Sequence, residues 1–182
     1  MSTTTAAPAG TALPLRSLYF VRFAFALVWA GLVFATASAL TTPVLVLLVL
    51  YPVFDVAAAV VDTRSAGPAK PVLGLYVNMA TSLLAAAGLV VAAATGIPGV
   101  LRVWGAWAIV SGLIQLAVGV VRRALGGQWP MIVSGALSTV AGASFFVQAG
   151  APEPSLGAVA GYATLGGIFF LLSALRLGRT AK

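Results

Sequence analysis

The chain contains no cysteine and no histidine. Without thiols there is no disulfide, no thiolate nucleophile and no cysteine metal site. Without imidazole, the usual general base, metal ligand and neutral-pH switch are missing too. Carboxylates are nearly as scarce, since Asp55, Asp62 and Glu153 are the three acids in 182 residues. Such scattered acids make no acid and base pair, no triad and no metal cluster, so neither an enzyme nor a bound cofactor or metal is expected. Charged residues of both signs amount to 7% of the chain, against about 25% in a soluble domain. That is too little polar surface to cover a core in water.

Apolar residues fill the space instead, at 61% of the chain, where a soluble domain has about 45 to 50%. A bilayer core about 30 Å thick takes about 20 apolar residues of helix to cross. Six runs of that length, separated by Pro, Gly or charge, lie near 17–40, 43–62, 72–94, 99–121, 129–149 and 156–176. The expected fold class is therefore all-α, a polytopic membrane protein with six transmembrane helices. Thr41 and Thr42 before Pro43 leave so short a connection that the first two spans must form a tight hairpin. Residues 1–15 are rich in Ser, Thr, Ala, Gly and Pro and read as a disordered cytoplasmic tail, leaving 16–179 as the membrane domain.

The net charge of +7 is informative through its placement. With both termini inside, Arg16, Arg22, Arg64, Lys70, Arg122, Arg123, Arg176, Arg179 and Lys182 fall on the cytoplasmic side, and Arg102 alone lies near the outer face. That asymmetry is the positive-inside pattern of a multi-pass plasma-membrane protein. No basic patch is interleaved with aromatics, so nucleic acid is not an expected partner. Tyr19, Tyr76 and Trp129 would lie near the inner headgroups and Trp104 near the outer ones, as aromatic belts do.

The start of the chain imitates a cleavable leader, with Arg16, Arg22, an apolar stretch and the small residues Ala37, Ser38 and Ala39. A repeat argues against cleavage. Prolines stand at 43, 98 and 152, about 55 residues apart, each followed by an aromatic: Tyr51, Trp107 and Tyr162. Val56, Gly112 and Gly167 come five residues after each aromatic, and Arg64, Arg122 and Arg176 close the spans. The chain thus reads as three consecutive hairpins, 17–62, 72–121 and 129–176, all starting on the same side. Repeats of this kind are parallel, unlike the inverted repeats of many alternating-access transporters. Loss of the first span would destroy the first unit.

The stretches YPVFD at 51–55, WAIVSGLIQLAVGVVRR at 107–123 and WPMIVSGALSTVAGASFFVQAGAP at 129–152 carry a resemblance. The pattern resembles the HdeD-like family, bacterial inner-membrane proteins named for acid resistance and built of short repeated hairpins. It covers nearly everything between residues 16 and 179, with one departure at Val56, where a glycine is expected. The resemblance implies a bacterial stress-response protein of the cell membrane, and it brings no catalytic residues with it.

Asp55 stands out, because an ionised carboxylate within a span costs at least about 2.5 kcal/mol. Arg22 reaches a comparable depth from the same side on the neighbouring helix, so an Arg22 to Asp55 pair is expected. Pro52, one turn earlier, frees the Leu48 carbonyl and opens a polar niche beside the carboxylate. Asn78 occupies the position of Arg22 in the second unit and Ser111 that of Asp55, with Gln115 one turn further along. These five residues are the candidate intramembrane polar site. Small residues at packing intervals, such as Ser134, Ser138 and Gly142, serve contacts within the chain or between subunits alike. Lipid, a second copy of the chain and other membrane proteins are the expected partners. A non-enzymatic role in stress tolerance is the leading expectation, and a small channel or transporter around Asp55 is the alternative.

Overall fold

A computed structural model describes residues 9–65, 73–121 and 129–180. Residues 1–8 of the expected tail lie outside the described residues, as do Lys70, Arg122, Arg123 and Lys182 of the expected basic segments. The described residues are all-helical, with no strand among them. The elements are α1 (Ala9–Ala35), α2 (Thr42–Ser65), α3 (Leu73–Ala92), a 3₁₀ turn (Ala93–Thr95), α4 (Gly96–Val121), α5 (Trp129–Gln148) and α6 (Gly157–Thr180).

Each helix packs against its two neighbours in sequence, and α6 packs against α1, so the helices close into a ring. One end of the ring carries the connections after α1, α3 and α5, and is called the turn end below. The N-terminus of α1 and the C-terminus of α6 mark the other, terminal end. Within the ring the expected hairpins are the looser pairs. The tightest contacts are α4 with α5, α1 with α6, and α2 with α3, each joining adjacent hairpins. Ring closure is also made locally, where the Leu156 amide donates to the Ala37 carbonyl at 3.0 Å.

The reason for the tight pairs is small side chains at helical spacing. On α4 and α5, Gly105 faces Gly142 and Gly112 faces Gly135, so closely that a Cβ on Gly142 would lie 2.6 Å from the Gly105 carbonyl oxygen. Seven-residue spacing keeps these glycines on one face, and close backbone contact replaces the hydrophobic effect that lipid does not supply between helices. Between α1 and α6, Ala26, Ala30, Ala160 and Ala163 are buried, and Gly167 meets Ala26. Between α2 and α3, Ala58, Ala59, Ala85 and Ala86 are buried.

The outside of the ring is apolar. Val28, Phe34, Leu84, Val91 and Val147 each expose two thirds or more of their surface, and that is the distribution expected where the solvent is lipid. Five continuous helical stretches are apolar and long enough to cross a membrane, rather than the six expected: Leu15–Ala35, Thr42–Arg64, Leu73–Val121, Trp129–Gln148 and Gly157–Arg176. The count falls because the 3₁₀ turn carries α3 into α4 without a break, giving one stretch of 49 residues. The chain nonetheless reverses there. Gly96 adopts φ +72°, which glycine tolerates best, and Gly88 of α3 lies against Val103 of α4.

Three other expectations are corrected. Residues 9–15 are helical rather than tail, as the strong helix propensity of Ala9, Ala12 and Leu13 favours. The first connection runs from Thr36 to Thr41 rather than over Thr41 and Thr42. Thr36 ends α1 early because its hydroxyl donates to the Leu32 and Val33 carbonyls and its amide closes a tighter turn on Val33. Trp104 is fully buried, not interfacial.

Gly135→Ala would place a methyl group 2.6 Å from the Gly112 carbonyl oxygen and 2.7 Å from the Leu116 nitrogen. Backbone atoms cannot move aside cheaply, so the expected loss is about 1 to 3 kcal/mol, seen as a lower thermal unfolding midpoint in detergent. Gly161→Ala, with no atom within 4 Å, should leave the midpoint nearly unchanged.

Candidate intramembrane polar site

The inward face of α1 is built from Arg22, Ala26, Trp29 and Val33, which recur at helical spacing toward α2 and α6. The matching face of α2 runs Val44, Leu48, Pro52, Asp55 and Ala59, and that of α3 runs Asn78, Ser82, Ala85 and Leu89. These three faces meet at Asp55. Its Oδ1 takes an ion pair from Arg22. Its Oδ2 accepts hydrogen bonds from Asn78 Nδ2 at 2.7 Å and Ser82 Oγ at 2.8 Å. The Arg22 guanidinium also lies over the Phe170 ring of α6, 4.2 Å from its centre. Four helices are therefore joined at one carboxylate, with its charge cancelled and both oxygens occupied.

Sequence reasoning brought together Arg22, Asp55 and Asn78 but missed Ser82, which is fully buried. Its position one helical turn beyond Asn78, on the same face, was the signal available. Ser111 and Gln115 of α4 are not among the hydrogen-bond partners of Asp55. They line the same cavity, where Gln115 Oε1 accepts from Ser134 Oγ at 3.4 Å.

That cavity has a volume of about 1080 Å³. It starts near Leu15, Tyr19, Pro130 and Arg176 at the terminal end, passes Arg22, Asp55 and Asn78, and follows the seam between α5 and α6 to Ser144 and Ala158. Among neighbouring pairs in the ring, α5 and α6 make the least contact. Leu137, Val140 and Leu165, which line the cavity there, are all exposed. The seam is thus a side opening. Across it, the Tyr162 hydroxyl donates to Ser138 Oγ at 3.1 Å.

Toward the turn end the ring is filled. Leu48, Trp104 and Val159 are fully buried, and next to them sit Tyr51, Trp107 and Tyr162, the aromatics marked by the proline spacing. Trp29 and Trp104 have ring centres 5.5 Å apart, and Trp104 and Trp107 5.0 Å. Trp29 Nε1 donates to the Leu47 carbonyl at 2.6 Å, beside the backbone position loosened by Pro52. Arg102 stays exposed, and Gln148 bonds back to Ser144, so neither takes part in the site.

Against this geometry, no family model, no characterised protein and no solved structure matches the chain. A carboxylate with every oxygen satisfied is a structural joint, and the cavity beside it is where a ligand or water could enter.

Asp55→Ala and Arg22→Ala should each cost about 3 to 5 kcal/mol, because either leaves a buried charge without its partner. The double variant Arg22→Met with Asp55→Leu should recover most of that loss. Folded fraction after heating, measured by size-exclusion chromatography in detergent, separates the three.

Proposed function

We propose that the chain crosses a bacterial plasma membrane six times, with both termini in the cytoplasm, and that it serves acid or envelope stress tolerance without catalysis. Six crossings follow from length: 49 residues of helix would reach about 74 Å, more than twice the bilayer core, and α3 and α4 lie side by side. The basic residues gathered at the terminal end support that end as cytoplasmic. A threefold repeat is supported by Leu48, Trp104 and Val159, one from each hairpin and each three residues before its aromatic, which are fully buried in one core cluster. The stress assignment rests on the likeness of 51–55, 107–123 and 129–152 to HdeD-like proteins. Lipid is the first partner, and a second copy or another membrane protein the next.

The observation that carries a function for the site is the cavity beside Asp55. It opens at the terminal end and along the α5 and α6 seam, while the ring axis is filled toward the turn end. That asymmetry supports a receiving chamber over a conducting pore. A transporter reading draws on the same cavity, since it reaches Asp55, and would need the aromatic layer to part.

Single cysteines test this directly, because the chain has none of its own. Gln115→Cys, in the cavity wall, should react with a membrane-impermeant thiol reagent from the cytoplasmic face and not from the other. Glu153→Cys should show the opposite pattern. Labelling of Gln115→Cys from both faces would mean a through path, and labelling from neither a dry, closed bundle. In liposomes the wild-type protein should pass no protons or ions at neutral or acidic pH, and Asp55→Asn should behave alike.

A further inference from the structure

The cavity has features that select among ligands. Its one carboxylate cannot hold a cation, because Asp55 Oδ1 is paired with Arg22 and Oδ2 accepts from Asn78 and Ser82. Its deep end also offers no free positive charge to an anion, since Arg22 is spent on Asp55 and Arg176 lies exposed at the terminal end. What lies just behind the deep wall is a pair of hydrogen-bond donors. Trp107 Nε1 and Ser111 Oγ are buried with no partner, and both residues line the cavity. They stand one turn apart on the same face of α4, so they sit about 6 Å apart along its axis. An indole N–H can only donate, and a buried donor left unpaired costs free energy that an acceptor oxygen would return. Around them are the aromatic rings of Tyr51 and Tyr162. The seam between α5 and α6 leads from this place sideways to the lipid-facing surface.

We propose that the cavity binds a neutral amphiphile from the bilayer, whose head carries carbonyl oxygens and whose apolar tail leaves through the α5 and α6 seam. The head accepts from Trp107 Nε1 and Ser111 Oγ, which a small rotation of each side chain brings to the cavity surface. A neutral head is required because an ion at this depth would be buried with no countercharge. Two membrane sources share that chemistry, a quinone ring and the ester of an acylglycerol. The aromatic surroundings would stack on the flat ring of the first, whereas the second would use the donors alone. This inference rests on the receiving-chamber reading above and names its ligand.

The test is isothermal titration of the full chain in lipid nanodiscs with decylubiquinone, monodecanoylglycerol and decanoate, which share a tail length. At least one neutral probe should bind saturably, and which one does identifies the source. Decanoate, charged at neutral pH, should bind at least about tenfold more weakly. Ser111→Ala and Trp107→Phe should each weaken the neutral probe about fivefold, the loss of one hydrogen bond, and Ser111→Ala should do so with the unfolding midpoint unchanged. Ala141→Trp, which fills the seam, should abolish binding and decides the matter should the other two variants misfold. Decanoate binding as tightly as the neutral probes, no saturable binding of either, or wild-type affinity in the folded variants would overturn the proposal. If Gln115→Cys is labelled from the cytoplasmic face but no neutral probe binds, the ligand class fails alone. If that cysteine cannot be labelled, the chamber fails first.

Discussion

The carboxylate of Asp55 is the joint on which the rest of the ring depends. In an apolar interior a charge is tolerated only when it is paired and its remaining lone pairs are used. Arg22 cancels the charge, and Asn78 and Ser82 take the other oxygen. Those requirements fix α1, α2 and α3 relative to one another in both height and rotation, which glycine and alanine contacts alone do not do. Phe170 beneath the guanidinium adds α6 to the same joint. Packing then completes what the polar contacts register.

The packing follows a different logic. Between helices surrounded by lipid, the gain comes from close approach rather than from removing apolar surface from water. Gly105, Gly112, Gly135 and Gly142 bring α4 and α5 nearly backbone to backbone, while alanines do a lesser version of this in the other two tight pairs. Four large aromatics, Trp29, Tyr51, Trp104 and Trp107, form the layer that fills the axis. Tight seams outside and bulky rings inside are two consequences of one distribution of side-chain size.

Much of this is legible in the amino-acid sequence. Apolar run length gave the helices, and the cost of an intramembrane charge singled out Asp55 and Arg22. The proline and aromatic spacing marked Tyr51, Trp107 and Tyr162, which the structure gathers in one layer. What escaped was pairing. A hairpin in sequence suggests that its two helices hold each other, yet the glycines at 112 and 135 face a partner in the next hairpin, and nothing in a single sequence says which neighbour a small face will meet. Ser82 was missed because serine is so often only a packing residue in a membrane helix. Trp104 was misplaced because tryptophan near a helix end is usually at an interface, and its level is set here by the rings it meets edge-on and at a tilt.

The unequal seams also make the ring mechanically uneven. The glycine contacts bind α5 to α4, and alanine contacts together with the Leu156 to Ala37 hydrogen bond bind α6 to α1. The seam between α5 and α6 is therefore the boundary between two firmly held blocks, spanned by the Tyr162 to Ser138 hydrogen bond. A ring fastened this way has a defined place to yield. In a bilayer, lateral pressure would be borne by every wall but resisted least at this one, which would couple the shape of the cavity to the lipid around it.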